Sequence, residues 1–309
     1  MILRPPKIEK GATIGIVGPA GPMIPHRLKK GIAYLESLGY KVKLGSYVVN
    51  TYGYLAGKDA QRAEDFNRMF YDNEVDVVFC TRGGYGSPRL LSKIDYHRIK
   101  QNPKIFVGYS DITALQLALF AKTGLVTFSG PMVAVEMAKG IDSFTEKHFW
   151  ELLTGVPTAF RFSHQDKPLQ CFKKGQTKGR LLGGCLSLIC SLLGTPFLPD
   201  FQDAILFLED VGEEPYQIDR NLSQLRLAGV LNQINGLVVG TFEKGPSENE
   251  NPSLTLDQVL GDMVGDLDIP VATGLPYGHI DVKCTIPIGV DAFLNADDGY
   301  LEILATPVV

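Results

Sequence analysis

Between Thr13 and Ser129, short apolar runs alternate with segments of helical period, and this alternation restricts the fold more than any other feature of the chain. Thr13-Ile-Gly-Ile-Val-Gly18 is rich in β-branched residues and leads into Pro-Ala-Gly-Pro, a strand followed by a tight turn. Residues 26–38 carry Leu28, Ile32, Leu35 and Leu38 at helical spacing and are stopped by Gly39. Residues 40–44 read as the second strand. Residues 58–71 read as a charged helix with Ala63, Phe66, Met69 and Phe70 on its inner side, and residues 75–80 as the third strand. The runs at 105–107 and 125–129 complete the series. These strands are continuous apolar runs rather than alternating ones, as in a parallel sheet covered by helices on both faces.

After Trp150 the pattern changes. Residues 155–179 hold Gly155, Pro157, Pro168, Gly175 and Gly179 among mixed polar residues, which suits a linker containing one or two short strands. A second α/β unit with more β character follows. Its helices are expected at 185–193, 216–228 and 254–264, and its strands at 204–209, 236–240, 270–273, 285–290 and 300–304. The organisation expected is therefore 1–155, a linker 156–178, and 179–309.

The stretch with the sharpest change of period is Lys104-Ile-Phe-Val-Gly-Tyr-Ser-Asp-Ile-Thr-Ala-Leu. An apolar strand switches at Gly108-Tyr-Ser110 into a helix over 111–120. A serine at such a turn stands clear of the sheet edge at the positive end of the helix, where an oxyanion meets backbone N–H groups. Ser-Asp-Ile-Thr is equally an ordinary helix start, with Ser110 or Asp111 as N-cap. The stretch is not G-x-S-x-G, because position 112 is Ile.

Ligands of open parallel sheets bind beyond the carboxyl ends of the strands, and the chemically loaded loops fall there. Glu209-Asp210 ends an apolar strand and is followed by Glu213 and Glu214, a set that suits a divalent cation, the orientation of a base, or a solvated acidic loop. His279 lies in Gly274-Leu-Pro-Tyr-Gly-His-Ile-Asp281, just past an expected strand. His26, His97, His148 and His164 lie among charged neighbours or in the linker. Ser110, Glu209 and His279 together make a nucleophile–acid–base set. Thr81-Arg-Gly-Gly-Tyr-Gly86 is a turn whose glycines permit positive φ and leave backbone N–H groups exposed, as in a nest for a phosphate, a carboxylate or an oxyanion. It matches neither a Walker A nor a G-x-G-x-x-G sequence.

Composition narrows the partners. The chain has a formal net charge of −4 and a pI near 5.8, and no basic tract, which argues against a nucleic-acid partner. No run of eighteen apolar residues is present, so no membrane span is expected. The five cysteines are scattered without a C-x-x-C pair, which suggests neither zinc nor a disulfide framework, but reduced thiols in a cytoplasmic protein.

In this order, the motifs resemble those of the LD-carboxypeptidase family of serine peptidases. The matching stretches are Ile14-Gly-Ile-Val-Gly-Pro-Ala, Arg82-Gly-Gly-Tyr-Gly, Gly108-Tyr-Ser-Asp-Ile-Thr-Ala-Leu, Gly130-Pro-Met, Leu208-Glu-Asp-Val-Gly-Glu, Pro215-Tyr-Gln-Ile-Asp-Arg and Leu275-Pro-Tyr-Gly-His-Ile. They span essentially the whole chain. The resemblance implies a flavodoxin-like parallel-sheet N-terminal domain, a smaller swivelling β/α C-terminal domain, an active site in the cleft between them, a homodimer, and no metal or cofactor. By position it makes Ser110 the nucleophile, His279 the general base and Glu209 the orienting acid, with Glu213 close by in the same loop. It places the oxyanion hole at the N–H of Asp111 and one from the 83–86 turn, Gly84 or Gly86. Arg82, with Tyr85 beside it, is the expected substrate contact, since a guanidinium pairs bidentately with a carboxylate.

The family includes cytoplasmic murein tetrapeptide carboxypeptidases, which act in peptidoglycan recycling, and immunity peptidases that cleave microcin C. The latter tend to be longer, with an aromatic substrate loop in the second domain. Here the only tryptophan is Trp150, near the linker, which favours the murein peptide. The rival readings are hydrolysis of an aminoacyl nucleotide analogue and a non-catalytic ligand-binding protein in which Ser110 is only a cap.

Overall fold

A computed structural model describes residues 2–156, 160–162, 168–243 and 252–309. The chain divides into two compact units. The first comprises Met1–Thr158, Thr285–Gly289 and Thr306–Val309, and the second Ala159–Cys284 and Val290–Ala305.

In the first unit, β1 (Thr13–Val17), β2 (Lys41–Leu44), β3 (Val77–Cys80), β4 (Ile105–Gly108) and β5 (Thr127–Ser129) form a parallel sheet in the order β2-β1-β3-β4-β5. This is the flavodoxin-like order, with its reversal between β1 and β3. Every residue of β3, β4 and β5 is buried, which is why their sequences carry no polar alternation. The edge strand β2 keeps Lys41 exposed and Lys43 half-buried, charges that discourage edge-to-edge pairing. Helix Asp59–Tyr71 buries Ala63, Phe66, Met69 and Phe70, the face its sequence spacing indicates. Helix Thr113–Thr123 buries most of its surface and ends at Gly124, held at φ +76°.

The second unit contains β6 (Phe160–Arg161), β7 (Gln170–Lys173), β8 (Gln176–Cys185), β9 (Ala204–Val211), β10 (Gly236–Glu243) and β11 (Val271–Thr273). After β12 (Ile286–Ile288) come β13 (Asp291–Asn295) and β14 (Tyr300–Ile303). The sheet order is β6-β14-β13-β8-β9-β10-β11-β7, with β8 to β11 mutually parallel and the flanking pairs antiparallel.

These units differ from the expected boundaries at the linker, at Thr285–Gly289 and at Thr306–Val309, the last two of which belong to the first unit. Within the expected linker, residues 170–173 and 176–178 are strands, and they belong to the second sheet. Their exposed, Lys- and Gln-rich edge disguises them. The strand expected at 285–290 forms, as β12, but it pairs antiparallel with β5 in the first sheet. His164 and linker residues 157–159 and 163–167 lie outside the described residues.

Candidate active site

Four loops leave the carboxyl ends of β1, β3, β4 and β5, and the sequence motifs of the first unit all lie on them. Ser110 follows β4 at the start of a short 3₁₀ segment, Ser110–Ile112, that runs into helix Thr113–Thr123. Its φ is +65°, a left-handed conformation that costs a side-chain-bearing residue about 1–2 kcal/mol. Such strain persists only where the surroundings over-determine it. Here Gln116 Nε2 donates to the Gly108 carbonyl at 3.0 Å, and Tyr109 donates its hydroxyl to buried Glu136 at 2.6 Å. Glu136 in turn accepts the Met132 N–H from the loop after β5 at 3.0 Å. Gly108 must be glycine: a Cβ there would lie 2.8 Å from Ile112 Cγ2.

The glycine turn after β3 lies directly against this elbow. A Cβ on Gly83 would be 2.9 Å from Ser110 Cβ and 3.1 Å from its Oγ. The Asp111 carboxylate, 2% exposed, accepts the N–H of Ser87 at 2.8 Å and that of Gly86 at 3.3 Å. Burial pushes that carboxyl above its ordinary value, against the pull of these hydrogen bonds. The Asp111 N–H sits in the first helical turn, where backbone donors lack intrahelical partners. Arg82 reaches only backbone carbonyls, its Nε to Gly83 at 3.2 Å and its Nη1 to Pro22 at 3.4 Å, and forms no ion pair among the described residues. Tyr85 is exposed, its ring edge-to-face with Tyr54 at 5.4 Å between centroids.

In the second unit, β9 carries Glu209 and Asp210 near its carboxyl end. Successive strand residues point to opposite faces, so the two carboxylates have separate surroundings. Asp210 accepts the Ser187 N–H at 2.8 Å and the Cys185 thiol at 3.2 Å. Glu209 is fully buried, and its Oε2 lies 2.7 Å from His279 Nδ1. Burial raises its pKa, while the hydrogen bond to His279 opposes the shift. The loop carrying His279 is pinned to β10 by Leu275 N–H to Val239 O at 3.1 Å and Thr241 N–H to Tyr277 O at 2.9 Å. Gly278, at φ +130°, allows the close approach, since a Cβ there would be 3.0 Å from the Thr241 carbonyl and 3.2 Å from Glu209 Oε2. No group of three His, Cys, Asp or Glu side chains among the described residues is arranged to hold a metal ion.

An elbow serine and a buried carboxylate–histidine pair are what the comparisons with known proteins bear on. Residues 14–130 match the family model for the LD-carboxypeptidase N-terminal domain, and residues 178–294 that for its C-terminal domain. The chain belongs to the LD-carboxypeptidase family. It is 41% identical to a probable murein peptide carboxypeptidase of Bacillus subtilis, over 94% of this chain and 91% of that protein. A solved muramoyltetrapeptide carboxypeptidase from Oxalobacter formigenes superposes with a TM-score of 0.84 at 34% identity, covering 94% of this chain and 98% of that one. The microcin C7 self-immunity protein MccF, solved with aspartyl sulfamoyl adenosine, gives 0.89 at 26% identity, covering 99% and 100%.

The chain is thus a carboxypeptidase of the serine type, and the non-catalytic reading gives way. Among the residues expected for an LD-carboxypeptidase site, Ser110, Asp111, Gly84, Gly86, Arg82 and Tyr85 lie in the first unit, and Glu209 and His279 in the second. Gly86 is corrected as an oxyanion donor, because its N–H is committed to the Asp111 carboxylate. Glu209, not Glu213, pairs with His279; Glu213 has a buried Oε2 without a hydrogen-bond partner among the described residues, and burial raises its pKa. Glu214 opens helix Pro215–Leu227 in a capping box with Gln217. The four carboxylates of this loop therefore do not gather around a cation. Two residues were not singled out in the sequence. Gly83, against Ser110, was only one glycine of three. Arg62, beneath the glycine turn, looks like any cation of a charged helix.

Proposed function

We propose that the protein hydrolyses the L,D-peptide bond before the terminal D-Ala of murein tetrapeptides, using Ser110, His279 and Glu209. The observation that carries the mechanism is the 2.7 Å pairing of His279 Nδ1 with the buried Glu209 carboxylate. A carboxylate on Nδ1 fixes the tautomer, so that Nε2 is the nitrogen for proton transfer. His279 Nε2 takes the proton of Ser110 Oγ as this oxygen attacks the carbonyl carbon before D-Ala. The tetrahedral oxyanion is met by the N–H of Asp111 and one from Gly83 or Gly84. His279 then passes the proton to the departing amine of D-Ala, and water hydrolyses the acyl-enzyme by the same steps. Arg82, without a carboxylate partner among the described residues, supplies a guanidinium for a substrate carboxylate, with Tyr85 beside it.

The names of the Bacillus and Oxalobacter relatives support the murein peptide. Trp150 supports it too: its ring stacks on Tyr40 at 5.0 Å and its N–H donates to the Tyr34 hydroxyl at 2.9 Å. The tryptophan is thus a packing residue of the first unit rather than part of a substrate loop. A cytoplasmic role in peptidoglycan recycling, as a homodimer, belongs to the same reading. The likeness to MccF bound to aspartyl sulfamoyl adenosine supports a second substrate class, an aminoacyl nucleotide analogue.

The test is release of D-alanine from L-Ala-D-Glu-diaminopimelate-D-Ala by wild type and Ser110→Ala side by side. Release by wild type alone is expected. Release by both discards the mechanism, and release by neither, with turnover of the nucleotide analogue, transfers the reading to the microcin-type substrate. Arg82→Ala is expected to raise KM for the tetrapeptide, and an unchanged KM removes that role. Light scattering at micromolar concentration decides the dimer.

A further inference from the structure

Gly86 is held at both of its backbone polar groups by buried charged side chains. Its N–H donates to Asp111 Oδ1 at 3.3 Å, and its carbonyl accepts from Arg62 Nη1 at 3.0 Å. The same Arg62 nitrogen donates to the Pro19 carbonyl in the loop after β1, while Nη2 pairs with Asp59 at 2.7 Å. The Arg62 side chain is fully buried, and Asp111 is 2% exposed. Next along the chain, Ser87 donates its N–H to the Asp111 carboxylate and its hydroxyl to the Asp111 carbonyl. On the other side of the turn, the Gly83 carbonyl accepts the Gly21 N–H at 3.2 Å. The turn thus joins the loops after β1 and β3 to the first residue after the elbow serine.

Two features say that this arrangement does more than stabilise. Buried charged groups give little net stability over apolar side chains of similar size, because desolvation offsets their attraction. Here two such groups converge on Gly86 and its neighbours. Further, Gly84 and Gly86 stand at φ +120° and +115°, conformations that relax readily unless pinned. The pinned segment is the one whose Gly83 lies against Ser110.

We propose that Asp111 and Arg62 are positioning residues, which clamp Gly86 from both sides and so hold the 83–84 backbone against Ser110 for transition-state binding. Gly86 is then the anchor of the turn, and the donors to the oxyanion come from its other end. The proposal rests on Ser110 being the nucleophile.

The variants are Asp111→Asn, which can accept only one of the two N–H bonds, Arg62→Lys, which cannot span Pro19, Gly86 and Asp59, and the milder Ser87→Ala. Each is examined for tetrapeptide kinetics and for hydrogen exchange of the 83–87 amides by mass spectrometry. The clamp predicts a fall in kcat on the order of 10- to 100-fold for the first two, the size expected of a small misplacement, with KM within about threefold. It also predicts faster exchange confined to the 83–87 segment, and a smaller effect of the same kind in Ser87→Ala. Unchanged kcat, or a loss that follows global unfolding in all three variants, overturns it. If wild type does not act on the tetrapeptide, the proposed function fails and the exchange data still decide the clamp. Faster local exchange in Asp111→Asn upholds it, and unchanged exchange removes it.

Discussion

At the scale of single residues, the site relies on atoms that are missing as much as on atoms present. Gly83 has no Cβ, and one placed there would press on Ser110 Cβ at 2.9 Å, against a residue already at φ +65°. Gly83→Ala is therefore expected to lower kcat on the order of 100-fold while the protein still folds, because its own φ suits alanine. Steady-state kinetics beside a melting curve check this, and an active Gly83→Ala would mean that the turn is not held against the serine. Glu209 presents the opposite situation, a group kept at a cost. Its folded pKa lies above the ordinary carboxyl value of 4.5 because burial disfavours the charge. A raised value means that the contribution of this group to stability is full below pH 4.5 and is lost as pH rises through the folded value. Above the folded value the ionised side chain is a standing strain, accepted for its effect on His279. Glu209→Gln should therefore melt at or above wild type at pH 7, with the advantage shrinking toward pH 4.5, while kcat falls on the order of 10²–10⁴-fold. A melting point below wild type at pH 7 would show the ionised carboxylate to be stabilising.

At the scale of elements, the strand–turn–helix from β4 into Thr113–Thr123 works because the helix packs tightly on the strand end. Gly108→Ala would set a methyl group 2.8 Å from Ile112 Cγ2 and lever the helix away. Overpacking of this kind costs about 1–3 kcal/mol, and denaturant unfolding should show it together with a fall in activity. Unchanged stability would mean that the helix start yields. This unit was legible in the sequence because a fully buried strand and a buried helix leave long apolar runs, and Ser110 and Glu209 stand at the end of such runs, with His279 in the loop that follows β11. Elements with mixed surroundings were harder to read. β7 is half or fully exposed along its length, and β13 holds only Ala-Phe-Leu between Asp291 and Asn295, so neither forms a long apolar run. Helix Ser143–Thr154 was missed although Asp142 caps the N–H groups of Phe144 and Thr145. The membership of β12 in the first sheet was not readable at all, since nothing in Ile286-Pro-Ile288 states which sheet it joins. The Asp111 carboxylate was hidden for another reason: an aspartate after a strand reads first as a helix cap.

At the scale of the whole molecule, the residues of the proposed mechanism fall in different units: Ser110 belongs to one, Glu209 and His279 to the other. Each of these groups is held in its own unit, the elbow by the contacts around Ser110 and His279 by the pinned 274–283 loop. The chain also crosses between the units more than once, because Thr285–Gly289 and Thr306–Val309 return to the first. A serine without a base is a poor nucleophile, and a histidine–glutamate pair without a serine has no acyl acceptor. If the proposed mechanism holds, the two halves must act as one catalytic group, and the losses from removing either cannot add. Ser110→Ala, His279→Ala and the double variant are therefore expected to share one residual rate on the tetrapeptide, each far below wild type and still above the uncatalysed reaction, since the oxyanion donors and the binding contacts remain. Multiplying losses in the double variant would instead mean that serine and histidine serve different steps, and the general base would have to be sought elsewhere than on the loop after β11.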